Sequence, residues 1–118
     1  MIIFIGSAEK GYFAEEIAEK KGKEFAYVKS NSRIELQKTE ILEHQGVEYM
    51  IFDIQQYLDS AEEIAKQIIT IRNCNNATVI IYASGYMLKN KVLVELCKVG
   101  IKNFIIGVTL SEIKQQLE

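Results

Sequence analysis

Asp53 is the residue of this chain best placed to do chemistry. It ends the run Val47-Glu48-Tyr49-Met50-Ile51-Phe52-Asp53. A mostly apolar stretch stopped by a carboxylate is the pattern of a central strand in a parallel sheet, and open α/β sheets gather their ligands at such strand ends. A carboxylate in that position can accept a phosphoryl group, hold a cation or cap loop amides, and its neighbours decide which. Gly6-Ser7 closes an earlier apolar run, Ser84-Gly85 a later one, and Gly107 the last. In a doubly wound sheet Gly6, Ser7, Ser84 and Gly107 share the rim of one crevice with Asp53.

Other reactive side chains offer less. No hydroxyl or thiol has a base beside it in sequence, so no nucleophile-histidine pair is expected. His44 is the only histidine and sits near a helix end. Cys74 and Cys97 have neither CxxC spacing nor a nearby histidine, which argues for reduced thiols over zinc or a redox pair. Cys97 reads as a small hydrophobe packed within a helix. Catalytic residues, metal ligands and cofactors are therefore not assigned. Gly6 to Gly11 has the G-x4-G spacing of a phosphate loop, but Tyr12-Phe13 follows where Lys-Ser/Thr is required. An anion at the amino end of the first helix is still compatible with free backbone N–H groups there. Tyr57 and Tyr86 fall in loops on the rim of Asp53, either as interface residues or as covers for the core.

The elements that position these residues follow from periodicity. Met1 to Ile5, Glu24 to Lys29, Val47 to Asp53, Thr78 to Ala83 and Ile101 to Ile106 read as strands. Between them, Phe13, Ala14, Ile17, Ala18 and Lys21 mark a first helix closed by Lys20-Lys21-Gly22. Arg33 to His44 reads as a lightly packed surface helix, because Lys38 interrupts the face of Ile34, Ile41 and Leu42. Ser60 and Glu63 form a capping box before a helix whose face is Ala61, Ile64, Ala65, Ile68 and Ile71, stopped at Asn73 to Asn76. Leu88, Val92, Leu96 and Val99 predict a fourth helix, and Thr109 to Glu112 repeats the capping box ahead of Ile113 and Leu117. Strand and helix alternate five times, which predicts a three-layer doubly wound α/β domain over residues 1–118. Its sheet is five-stranded and parallel, with order 2-1-3-4-5.

Composition bounds the partners. Charged residues are 25% of the chain and apolar residues 48%, as in ordinary globular domains. The formal charge is −2 with dispersed cations, so nucleic acid is not expected. Apolar runs are too short to span a bilayer and no charged leader is seen, which points to a cytoplasmic protein without a membrane partner.

With five units in this length, the chain resembles a response-regulator receiver domain over nearly all of its residues. The family carries an acidic pair after strand one, a phosphoacceptor Asp after strand three, a Ser or Thr after strand four and a Lys after strand five. Asp53 falls at the phosphoacceptor position. Gly6-Ser7 replaces the acidic pair, Ala83 takes the hydroxyl position with Ser84 one place on, and Gly107 stands for the lysine. The loop Ile54-Gln55-Gln56-Tyr57 lacks the usual proline and glycine. Phe104 occupies the position of an aromatic that changes orientation on activation in the family. Lys102, about five strand residues or ~16 Å away, cannot replace the missing lysine; Lys10 is a weak substitute, and Glu9 reads as a helix-dipole partner.

Without the metal pair and the lysine, the resemblance implies a pseudo-receiver: a regulatory or scaffolding module that binds a protein partner or itself. Self-association is expected through the fourth helix, fifth strand and fifth helix, with Tyr57, Tyr86, Leu88, Phe104 and Leu110 as interface residues. Two alternatives stand beside it: an atypical receiver phosphorylated on Asp53, and a small-molecule or anion binder in the crevice between Ser7 and Asp53.

Overall fold

Short β-branched runs form the strands because each can bury both faces once helices cover the sheet. The computed structural model describes residues 1–107. The expected fifth helix and Leu110 lie outside them. The strands are β1 (Ile2–Ile5), β2 (Phe25–Val28), β3 (Tyr49–Asp53), β4 (Thr78–Tyr82) and β5 (Phe104–Ile105), in the order β2-β1-β3-β4-β5. All pairings are parallel, and the register sets Ile5 opposite both Val28 and Phe52, and Asp53 opposite Tyr82. The predicted architecture and strand order are those observed. The carboxyl ends of the central strands therefore share one rim.

Helix α1 (Ala8–Lys20) covers one face of the sheet. Its face is Phe13, Ala14, Ile17 and Ala18, as periodicity predicts, with Lys21 left exposed. Phe4 is the centre of this layer, meeting Phe13, Tyr27 and Tyr82 edge-on at centroid distances of 6.0, 6.1 and 5.9 Å. Helices α2 (Lys38–Glu43), α3 (Ala61–Asn75) and α4 (Lys91–Lys98) belong to the opposite layer. There Ile64, Ile68 and Ile71 of α3 and Leu93 and Leu96 of α4 meet Ile3, Ile5, Phe52 and Ile81 of the sheet.

Helix-stop chemistry appears where predicted. Gly22, Gly46, Gly100 and Asn76 all have positive φ, and the Asn76 amide donates to Arg72 O. Ser60 Oγ accepts from Glu63 N at 3.1 Å, but the Glu63 carboxylate takes the Gln67 side chain instead of returning to Ser60, so only half of the capping box forms.

Three elements differ from the sequence reading. The stretch from Arg33 is not a lightly packed surface helix: a 3-10 turn (Ile34–Gln37) leads into the six-residue α2, with Ile34, Gln37 and Ile41 all buried. Asp59 Oδ2 accepts the Ile34 amide at 2.9 Å and draws this segment onto the loop after β3. Asn90, not a residue before Leu88, starts α4, its side chain accepting from Val92 N at 2.9 Å. This turns Leu93 and Leu96 inward, leaves Leu88 exposed in the preceding loop, and places Cys97 on the outer face instead of in the core. Finally, β5 has only two residues, and the Ile101 amide, expected at the start of that strand, instead closes α4 through Leu96 O.

Candidate functional site

Asp53 comes to the rim as predicted, but its side chain is only 3% exposed. Oδ1 accepts the Gln55 amide at 3.0 Å and so caps a 3-10 turn (Ile54–Gln56) that follows β3 directly. Oδ2 faces Lys10 Nζ at 3.5 Å. Lys10 is brought there by the first turn of α1, which Ser7 caps through the Lys10 amide. Burial raises the Asp53 pKa, while the Gln55 amide and the Lys10 ammonium act against that rise.

The same turn stitches the rim together. Lys10 Nζ also donates to Gln55 Oε1 at 3.2 Å, Gln55 Nε2 donates to Ser84 O at 2.6 Å, and Ser84 Oγ donates to Gly107 O at 2.7 Å. One polar chain thus runs from α1 across the ends of β3 and β4 to Gly107, two residues after β5. The next residue works in the other direction. Gln56 Nε2 donates to Ile5 O and Asp53 O at 2.8 and 2.7 Å, and its Oε1 accepts from Asn31 N and Gln37 Nε2 at 2.8 and 2.9 Å. Gln37 Nε2 also donates to Lys29 O, and Gln37 Oε1 accepts from Tyr57 at 2.6 Å. The loop without proline or glycine therefore carries two glutamines that tie the ends of β1, β3 and β4 to the segment after β2, and Ser84 extends the network to Gly107.

Gly6 leaves no room for a side chain at this point. Its φ is +155°, and an added Cβ would stand 2.9 Å from the Phe4 ring and 3.0 Å from Asp53 Cβ. Any side chain there would displace the carboxylate. Gly11 has a parallel role, since its Cβ would fall 2.5 Å from Phe4 and 2.7 Å from Tyr27. The G-x4-G spacing is a pair of close approaches, one to Asp53 and one to the aromatic layer.

Gly6, Ser7, Asp53, Ser84 and Gly107 are gathered along the rim, as predicted. Tyr57 is buried against the core, 8% exposed and held on Gln37, and its pKa stands well above the usual tyrosine value through burial and the charges of Asp53 and Asp59. Tyr86 and Phe104 are partly buried against the core, and Leu88 is exposed. Gln37, Gln55 and Asp59 were not singled out by sequence. For Gln55 the signal was the adjacency of Gln55-Gln56 to a strand-terminal Asp; Gln37 and Asp59 carried none. Among the described residues no three His, Cys, Asp or Glu side chains converge as a metal site, and no helix is long and apolar enough to cross a membrane.

The raised Asp53 pKa makes a signed prediction. An acid titrating higher in the folded than in the unfolded state stabilises the fold when protonated, and that contribution is lost as pH rises through its folded pKa. Urea melts of the wild type and Asp53→Asn across the acid range are expected to show the wild type gaining relative to the variant as pH falls through that window. A difference that stays constant with pH would contradict the shift.

Fold and rim define a doubly wound α/β protein whose strand-end crevice is spanned by its own side chains. No protein-family model, curated protein or solved structure matches the chain.

Proposed function

We propose that this protein is a receiver-like regulatory or scaffolding module that works without phosphotransfer, through contact with a protein partner or with itself. The observation that carries this reading is the internal commitment of Asp53: a buried carboxylate bound to the Gln55 amide and to Lys10, with Gly6 against its Cβ. An in-line phosphoryl donor needs an open carboxylate oxygen and cations around the incoming charge. Here the open direction of Oδ2 is taken by Lys10. Exposed Met87, Leu88 and Val94 on α4 and the loop before it supply apolar surface suited to a partner.

An NMR titration with magnesium and beryllofluoride tests the reading. Unchanged amide signals at Asp53, Ser84 and Gly107 are the expected result; shifts concentrated there would overturn it in favour of a working phosphoacceptor. That alternative has one observation on its side, the Lys10 ammonium 3.5 Å from Asp53, a cation beside the carboxylate where the receiver lysine is lost. Light scattering addresses self-association separately: the dimer version expects a mass above the monomer at high micromolar concentration, and a monomer there would remove it.

A further inference from the structure

A hollow of about 480 Å³ opens at the amino ends of β4 and β5, the end of the sheet opposite Asp53. Arg72, Asn73 and Asn76 line it from the end of α3, Thr78 from the start of β4, and Lys102 and Asn103 from the segment before β5. Ala77, Val79 and Ile101 complete the wall, and all three are core residues of the α3 and α4 layer. The polar part of the wall is uncommitted: among the described residues the side chains of Arg72, Asn73, Asn76, Thr78 and Lys102 make no hydrogen bond or ion pair. No described acid lines the hollow either. Glu48, whose carbonyl takes the Thr78 amide, has its carboxylate paired with Lys23 and the amino terminus.

We infer that this hollow binds a phosphate monoester of a small hydroxylated molecule, with Arg72 and Lys102 holding the phosphate. A half-buried guanidinium and an ammonium on one concave surface, neither neutralised by a described acid, favour an anion. The donor count selects its type. An arginine and a lysine together bring about eight N–H donors, whereas a carboxylate offers about four acceptor sites. The three terminal oxygens of a phosphate ester use more of those donors. The size of the hollow points beyond the free ion, since small-molecule sites span about 300–1,000 Å³. Asparagine amides and the Thr78 hydroxyl both donate and accept, which suits hydroxyl groups on the rest of the ligand. The carboxyl ends of α3 and α4 lie at this end too, and their partial negative charge opposes an anion. Local bonds take up those carbonyls: Arg72 O accepts the Asn76 amide, Leu96 O the Val99 and Ile101 amides, and Cys97 O the Gly100 amide. Answering the α3 dipole accounts for Arg72 but not for Lys102, which belongs to no helix. This inference is independent of the reading of Asp53.

The test is a titration of the full chain with inorganic phosphate and with glycerol phosphate, followed by amide NMR at an ionic strength held constant with chloride. Saturable shifts are expected at Asn73, Asn76, Lys102 and Asn103, with Gln55 and Ser84 unmoved and glycerol phosphate the tighter of the two probes. Arg72→Gln and Lys102→Gln, each confirmed as folded by its amide spectrum, are expected to weaken glycerol phosphate by about tenfold. Silent spectra, shifts that do not saturate, or an affinity that both variants leave unchanged would overturn the site. Shifts centred on Gln55 and Ser84 would overturn it in favour of an anion at the rim of Asp53. Equal affinity for the two probes would overturn the ester in favour of the free ion.

Discussion

Replacing Gln56 with methionine is expected to destabilise the protein by about 2–4 kcal/mol. Methionine keeps the length and volume of the side chain but loses all four of its hydrogen bonds, to Ile5 O, Asp53 O, Asn31 N and Gln37 Nε2. Each stranded polar group costs about 1–3 kcal/mol when fully desolvated. Gln56 is half-buried, so water recovers part of that sum. The effect should appear in urea unfolding as a lower midpoint with an unchanged slope. Amide exchange at Asn31 and Gln55 should accelerate more than exchange within β1. A loss below about 0.5 kcal/mol, the size of an ordinary surface substitution, would mean that the rim is held by packing and not by this side chain.

The second large effect is expected at Gly11. Gly11→Val places methyl groups into a space where even a Cβ would lie 2.5 Å from Phe4 and 2.7 Å from Tyr27. Replacing glycine inside a helix ordinarily gains up to about 1 kcal/mol of propensity. Overpacking of a closed core costs about 1–3 kcal/mol and sometimes more. The steric term wins because the facing atoms are ring carbons of an aromatic cluster, and Phe4 is fully buried against three other rings. A net loss of about 3 kcal/mol is expected for valine and about half of that for alanine. Near-UV circular dichroism should change with it, because α1 must lift from Phe4, Phe13, Tyr27 and Tyr82. A variant as stable as the wild type would show that α1 can shift without loss.

Both residues lie in motifs with another conventional meaning. Gly6 and Gly11 match part of a phosphate loop, and Gln55-Gln56 stands where a receiver loop carries other residues. In both cases the residue types were readable and their partners were not. Glycine serves equally for a close approach to phosphate and a close approach to a phenyl ring. Which one applies depends on Phe4, seven positions away in sequence and on another element.

The α4 phase shows the same limit on a smaller scale. Leu88, Val92, Leu96 and Val99 have helical spacing, and so do Leu93 and Leu96. The Asn90 cap and the Leu96 O bond to Ile101 N chose the second set, and with it the exposure of Leu88 and Cys97.

Local and periodic properties were determined by the sequence alone. Five apolar runs alternating with amphipathic stretches dictate a parallel sheet, since short connections and right-handed crossovers leave few strand orders. The same alternation sends Asp53, Gly6-Ser7, Ser84 and Gly107 to one rim. Tertiary structure decided what that rim is. Strand pairing brought Lys10 from α1 and two glutamines from the β3 loop onto groups up to 51 positions away in sequence. Their geometry turned a carboxylate in a catalytic location into a buried cap. Hydrogen bonds across the rim are made by long side chains between different elements, and such contacts leave no periodicity in the chain to read.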